Sequence, residues 1–281
     1  MAGVTPFEIG LVLWAEGTAD ATLTYLTGFG LHALQLGVPP SMDCEASLEP
    51  WKAALPQYGV TATSAVCCYE GEDYADIERV HATVGFTVEK YRAERIERTK
   101  QIAKFADGLG IRAVSCHIGF IPEDRTAKLY EEMRDLTRVL CDACAAYSQN
   151  FVLETGQESA KVLLRFIADV ERPNLKVNFD PANMVLYGSG DPVEALVLLK
   201  DHVLSVHCKD GLPPAPGTGL GKEVALGDGK VDFPAFLAQL KQIGYQGQLT
   251  IEREEPDAAT KTADVRTAIS RLNTWKSETS L

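Results

Sequence analysis

The sequence predicts an α/β fold, an eight-stranded parallel (β/α)8 TIM barrel that makes a single domain of residues 1–281. Three observations lead there. Short apolar runs recur eight times along the chain, separated by segments of helical period, and strands alternating with helices pair in parallel through right-handed crossovers. The length, 281 residues, is within the usual size of a closed barrel. No Gly-x-Gly-x-x-Gly turn follows the first run, so the usual signature of the competing doubly wound sheet is missing.

The runs, in order, are FEIGLVLWA (7–15), HALQLG (32–37), TATSAVCCY (61–69), RAVSCHIGF (112–120), NFVLETG (150–156), KVNFD (176–180), VLSVHCKD (203–210) and QLTIERE (248–254). Helical period is clearest in residues 87–110, 126–147, 159–170 and 232–244. Glycines close the first and last of these, in FADGLG and QIGYQG, as helix stops do. Asp191-Pro192, before VEALVLLK, reads as a helix opening, because Asp caps free amides and Pro fits the first helical turn. The stretch 211–230, GLPPAPGTGLGKEVALGDGK, is too rich in Pro and Gly for regular structure and reads as a long irregular loop with a functional role.

Composition narrows the function. The chain is 46% hydrophobic and 23% charged, as soluble globular proteins are, and its net charge of −12 repels nucleic acid. MAGVTPFEIG lacks the basic and apolar regions of a signal peptide, and no stretch approaches the roughly 20 apolar residues of a membrane span. The expectation is a cytoplasmic protein with a small-molecule partner, no nucleic acid and no membrane, either monomeric or a homo-oligomer (dimer or tetramer). The seven cysteines are scattered and read as reduced thiols; Cys141 and Cys144, three apart on a helix, read as core packing rather than half of a zinc site.

In a parallel barrel, chemistry sits where strands end. The ends of runs five to eight carry Glu154, Asp180, His207 and Glu252, all metal-ligand types. The steps between them are 26, 27 and 45 residues, against about 30 per repeat in a typical barrel of ~250 residues. The last step includes the long loop, so the four side chains come round successive strands at one level. Asp180, followed by Pro181, could be only a helix cap, but a cap needs no matching partners on neighbouring strands. Three carboxylates and an imidazole crowded together call for one divalent cation. The oxygen-rich set favours Mn²⁺, Mg²⁺ or Co²⁺ over a thiolate-type zinc site; Mn²⁺ is put first, with Mg²⁺, Co²⁺ or Zn²⁺ as alternatives. Lys209 projects from the same strand end as His207 and reads either as a substrate contact or as a solvated surface lysine. Trp14, ending the first run, reads as pocket wall or as core.

Glu154, FDPANM, HCKD and GDGKVDFPAFLAQLKQIGYQGQLTIERE together resemble the xylose isomerase-like barrel superfamily of sugar isomerases and epimerases. The resemblance covers essentially the whole chain and is strongest from Phe151 onward. It implies metal binding by Glu154, Asp180, His207 and Glu252, with Glu154 and Glu252 also moving protons. Glu158 matches a substrate-contacting acid of the ketose 3-epimerase branch, and His117 matches a position close to the site. Asn183 stands where that branch carries His and is grouped with the substrate-side residues. No arginine follows HCKD where those epimerases bind substrate with one.

The resulting expectation is a metal-dependent sugar epimerase or aldose–ketose isomerase in carbohydrate metabolism, abstracting a proton next to a carbonyl through an enediolate. An inosose-type dehydratase acting on a keto-sugar or keto-inositol is the alternative. An apurinic endonuclease, which needs a histidine at position 183, and a non-catalytic sugar-binding relative rank below both. The absence of any Arg/Lys and Gly cluster favours an unphosphorylated substrate.

Overall fold

The computed structural model describes residues 5–216 and 219–281. Eight parallel strands close into a barrel: β1 (Ile9–Trp14), β2 (Ala33–Val38), β3 (Thr61–Cys67), β4 (Ala113–Cys116), β5 (Asn150–Glu154), β6 (Leu175–Phe179), β7 (Val203–Cys208) and β10 (Leu249–Ile251). Each pairs with its neighbour in sequence, and β1 closes the ring against β10, with Leu11 opposite Ile251. All eight apolar runs are therefore barrel strands, as their pattern predicts.

The helices pack outside the ring. In α6 (Ala160–Val170) the buried residues Leu163, Phe166, Ile167 and Val170 recur at the helical period, and Ser159 caps the start by accepting from the Val162 amide. Burying one such side chain contributes about 1.5–3 kcal/mol. In α5 (Lys128–Ala145), Cys141 and Cys144 lie on the buried face, where burial pushes both thiols up to about 12. They are core residues. Asp191 caps α8 (Pro192–Leu199), as its pairing with proline predicts.

The 211–230 stretch is not wholly irregular. β8 (Asp210–Leu212) and β9 (Lys222–Val224) form a two-stranded antiparallel sheet beside the C-terminal mouth of the barrel, although Gly217 and Thr218, within the stretch, lie outside the described residues. The order comes from Asp210. Its Oδ1 accepts from the amides of Gly211 (2.8 Å) and Val231 (3.1 Å), and its Oδ2 from Gly227 (2.9 Å) and Gly229 (3.0 Å). The GDGK turn thus wraps a buried carboxylate, and a Cβ at Gly229 would come within 2.1 Å of Asp210 Oδ1. Pro and Gly content indicates where a chain turns, but not which side chain collects the freed amides. The first four residues also lie outside the description, so the reading of the N-terminus stays with the sequence. No helix among the described residues is long and apolar enough to cross a membrane.

Candidate metal centre

Glu154 is the last residue of β5, and His207 precedes the last residue of β7. Asp180 and Glu252 are the first residues beyond β6 and β10. Parallel register sets these strand ends at one height, so the four side chains meet: one ligand atom from each lies within 4.8 Å of all the others, and all four residues are buried. His207 Nδ1 is 3.1 Å from Glu252 Oε2, 3.3 Å from Glu154 Oε1 and 3.7 Å from Asp180 Oδ2.

Asp180 both caps and faces the cluster. Its Oδ1 accepts from the amides of Ala182 (2.8 Å) and Asn183 (3.1 Å), opening α7 (Pro181–Tyr187). Its Oδ2 has no hydrogen-bond partner, and neither has His207 Nδ1, while Glu252 Oε2 makes no hydrogen bond of good geometry and is ion-paired with Lys209 at 3.1 Å. Thr155 latches this turn to β5: the Asp180 amide donates to Thr155 Oγ1 (2.8 Å), whose hydroxyl donates to the Asp180 carbonyl (3.0 Å).

Two buried, unpartnered ligand atoms and a third that meets only the Lys209 ammonium, all pointing at one space, are the mark of a place for a cation, because native proteins pair nearly all buried polar atoms. Electrostatics agrees. Two like unit charges 4.8 Å apart repel by roughly 3 kcal/mol at an effective dielectric near 20, and three carboxylates crowd this space. Burial acts to lower the His207 pKa, but the Glu252 and Glu154 carboxylates outweigh it and hold the imidazole well above its usual range. Burial and nearby carboxylates raise Asp180, despite His207 and Lys209. The donor set, three carboxylates and one imidazole, is that of hard or borderline divalent ions.

A cavity of about 360 Å³ opens above the cluster, lined by Glu154 and Glu252. His117, Asn183, Lys209 and Trp14 all line it. His117 Nε2 is 3.4 Å from Glu154 Oε1, and Asn183 Nδ2 donates to the same oxygen at 3.0 Å. Lys209 is 5% exposed and ion-paired, so it is not a solvated surface lysine. The Trp14 ring lies on Gly37, where a Cβ would come within 2.4 Å of it, so Trp14 serves as packing and as wall. Glu158 is placed apart: it is half-buried, does not line the cavity, and burial pushes its carboxyl up to about 8.

The sequence reading passed over several wall residues. Glu72 and Tyr74 come from the β3 loop, Tyr187 from α7, and Glu223 from β9, which brings the Pro/Gly stretch over the site. Glu254 follows Glu252 by two positions. Gln35, below the cluster, places Oε1 3.0 Å from His207 Nε2. A single signal pointed to it, a lone amide in the otherwise apolar run ALQLGV. No arginine is among the described residues that line the cavity.

Fold and site together define a closed α/β barrel with a buried acidic–imidazole centre. The chain belongs to the xylose isomerase-like TIM barrel family, whose sequence model matches residues 27–275. It is 37% identical to a xylose isomerase domain protein from Planctomyces limnophilus, over 98% of this chain and 99% of that one, with a TM-score of 0.93. It is 24% identical to the inosose dehydratase of Geobacillus kaustophilus over 91% of this chain and 90% of the relative. The L-ribulose-5-phosphate 3-epimerase of Salmonella paratyphi C matches at 23% identity over 63% of this chain, which spans only 62% of that relative.

Proposed function

We propose that this chain, acting as one barrel domain over residues 1–281, is a divalent-metal-dependent isomerase of small sugars or polyol-derived ketones. The observation that carries the reading is the convergence of unpartnered Asp180 Oδ2 and His207 Nδ1 with the carboxylates of Glu252 and Glu154, under a cavity whose walls include both glutamates. Glu154, Asp180, His207 and Glu252 would hold the cation, with Mn²⁺ favoured and Mg²⁺, Co²⁺ or Zn²⁺ as alternatives. When bound, the cation supplies Lewis-acid polarisation of a substrate carbonyl.

The protein's own part is proton transfer. Burial acts to raise Glu252, but His207 and Lys209 hold its carboxyl well below the usual range, which favours the carboxylate form that a base needs. Glu154 is likewise lowered by His117 and His207 against the effect of burial. One carboxylate takes the proton from the carbon next to the carbonyl, and the other returns a proton to the enediolate. Return to the opposite face of the same carbon is epimerisation; delivery to the neighbouring carbon is aldose–ketose isomerisation. His117, Asn183, Lys209 and Trp14 would line the substrate space, whereas Glu158, which does not line the cavity, is left out of the substrate-side set. The acidic walls and the lack of a lining arginine support an unphosphorylated substrate. The charge of −12 supports a small-molecule partner over nucleic acid, and the sugar chemistry proposed here would place the chain in carbohydrate metabolism, with the cytoplasm as the compartment expected from its sequence.

A dehydratase reading has one specific observation behind it, the near full-length similarity to an inosose dehydratase. Both readings begin with the same proton abstraction; the isomerase returns a proton to carbon, whereas the dehydratase expels a β-hydroxyl as water. Elemental analysis of the purified protein, with a screen of ketoses, aldoses and inositol-derived ketones, tests the proposal. The expected result is one divalent ion per chain and a ketose or aldose converted without change of mass. Loss of water from a keto-inositol selects the dehydratase, and neither metal nor turnover on any of them refutes both.

A further inference from the structure

We propose that Gln35 is a positioning residue of this centre: held by Thr250, its side-chain carbonyl binds His207 Nε2–H and so keeps Nδ1 as the ring nitrogen turned toward the carboxylates and open to a cation. The inference rests on the reading of the site as a metal centre. Gln35 Oε1 lies 3.0 Å from His207 Nε2. A carbonyl oxygen only accepts, so Nε2 carries the proton of this bond whether the ring is neutral or charged, and the proton that a cation would displace is the one at Nδ1. Nδ1 is the atom that faces Glu154, Asp180 and Glu252.

Thr250 takes the other end of the amide; because a hydroxyl can donate as well as accept, the orientation is set by the ring, whose Nδ1 faces the cation space and whose Nε2–H needs an acceptor. Gln35 Nε2 then donates to Thr250 Oγ1 at 3.3 Å. Thr250 is the register partner of His207 between β10 and β7, which places that acceptor beside the imidazole. Gln35, His207 and Thr250 are 1%, 0% and 1% exposed, so bulk water does not reach in to replace either bond. An amide suits the place better than a carboxylate, since it orients the ring without adding a fourth negative charge to the cluster. Gln35 stands on β2, which pairs with neither β7 nor β10, so its contact with His207 is made across the interior of the ring.

The test uses the full chain with Gln35→Leu, Gln35→Glu and Thr250→Val. Two quantities are read: Co²⁺ affinity by chelator competition, and the His207 Nε2–H resonance of ¹⁵N-histidine-labelled, metal-free protein. Loss of an outer hydrogen bond to a ligating histidine costs about 10–100-fold in metal affinity. Gln35→Leu is expected to lose Co²⁺ affinity to that extent and to lose the exchange-protected Nε2–H signal. Gln35→Glu, which keeps an acceptor, is expected to retain both, and Thr250→Val to weaken Co²⁺ binding severalfold. Thr250→Val carries the test on its own if Gln35→Leu does not fold. Equal losses in Gln35→Leu and Gln35→Glu mean packing alone and overturn the proposal, as does a wild-type protein without a protected Nε2–H. A wild-type protein that keeps that signal and binds no Co²⁺ supports the Gln35–His207 hydrogen bond and sinks the metal reading instead.

Discussion

The Lys209 ammonium stands 3.1 Å from Glu252 Oε2, with side chains 5% and 9% exposed. It also faces Glu254 at 3.4 Å and Asp180 at 4.0 Å. Burial acts to lower the lysine pKa, but Glu252 and Glu254 outweigh it and hold Lys209 well above its usual range. Lys209 is therefore the fixed counter-charge of the cluster, present whether or not a cation is bound.

Lys209→Met removes one side of this buried pair. Breaking such a pair by deleting one partner costs about 3–5 kcal/mol, to be read from guanidinium unfolding of metal-free protein. The acid limb should move too. Lys209 helps hold the Glu252 pKa down, so that contribution to stability is present at neutral pH and lost as pH falls through the folded pKa. Without Lys209 the loss begins at higher pH. Unchanged unfolding free energy would show that the contact carries no weight.

Asp180→Asn keeps the cap, because an amide oxygen can still accept from the Ala182 and Asn183 amides. It removes the charge at Oδ2 that faces the cluster. Metal content by elemental analysis should fall while the circular dichroism spectrum stays native, and full occupancy in this variant would take Asp180 out of the ligand set.

Asp210→Asn puts an amide NH₂ among four backbone donors that now share a carboxylate. The expected cost is roughly 3 kcal/mol, since hydrogen bonds to charged groups are worth about 1.5–3 kcal/mol each. Limited proteolysis should cut the β8–β9 connection faster. An unchanged cleavage rate argues that the hairpin holds without Asp210.

How much of this was legible beforehand follows from what each residue depends on. Glu154, Asp180, His207 and Glu252 could be found because strand ends recur with the βα repeat, and parallel register converts that spacing into height. Gln35 could not be assigned a role, because its contact crosses the closed ring from β2 to β7, between residues 172 apart in the chain. The β8–β9 hairpin was hidden for a similar reason: its order depends on Asp210 gathering amides up to 21 residues away. Lys209 was visible as a candidate, but its burial depends on Glu254 and Glu252 folding over it.

Glu158 gives a pH test with a definite sign. Burial raises its folded carboxyl to about 8, above its unfolded value. Between the unfolded pKa and about 8 the unfolded chain ionises and the folded one resists, so stability falls as pH rises through that window. Glu158→Gln removes the penalty. Its melting temperature should gain on wild type from pH 5 to pH 8, and a constant difference across that range would show that Glu158 ionises freely in the folded protein.

Turnover by metal-saturated Glu252→Gln tests the central claim most directly, because saturation with metal removes the ligand role and leaves the proton-transfer role. A positioned general acid–base is worth about 10²–10⁴-fold, and the variant should lose turnover to that extent on whichever substrate the wild type converts. A fully metal-loaded Glu252→Gln protein that works at wild-type speed contradicts the account and leaves Glu252 as a ligand only.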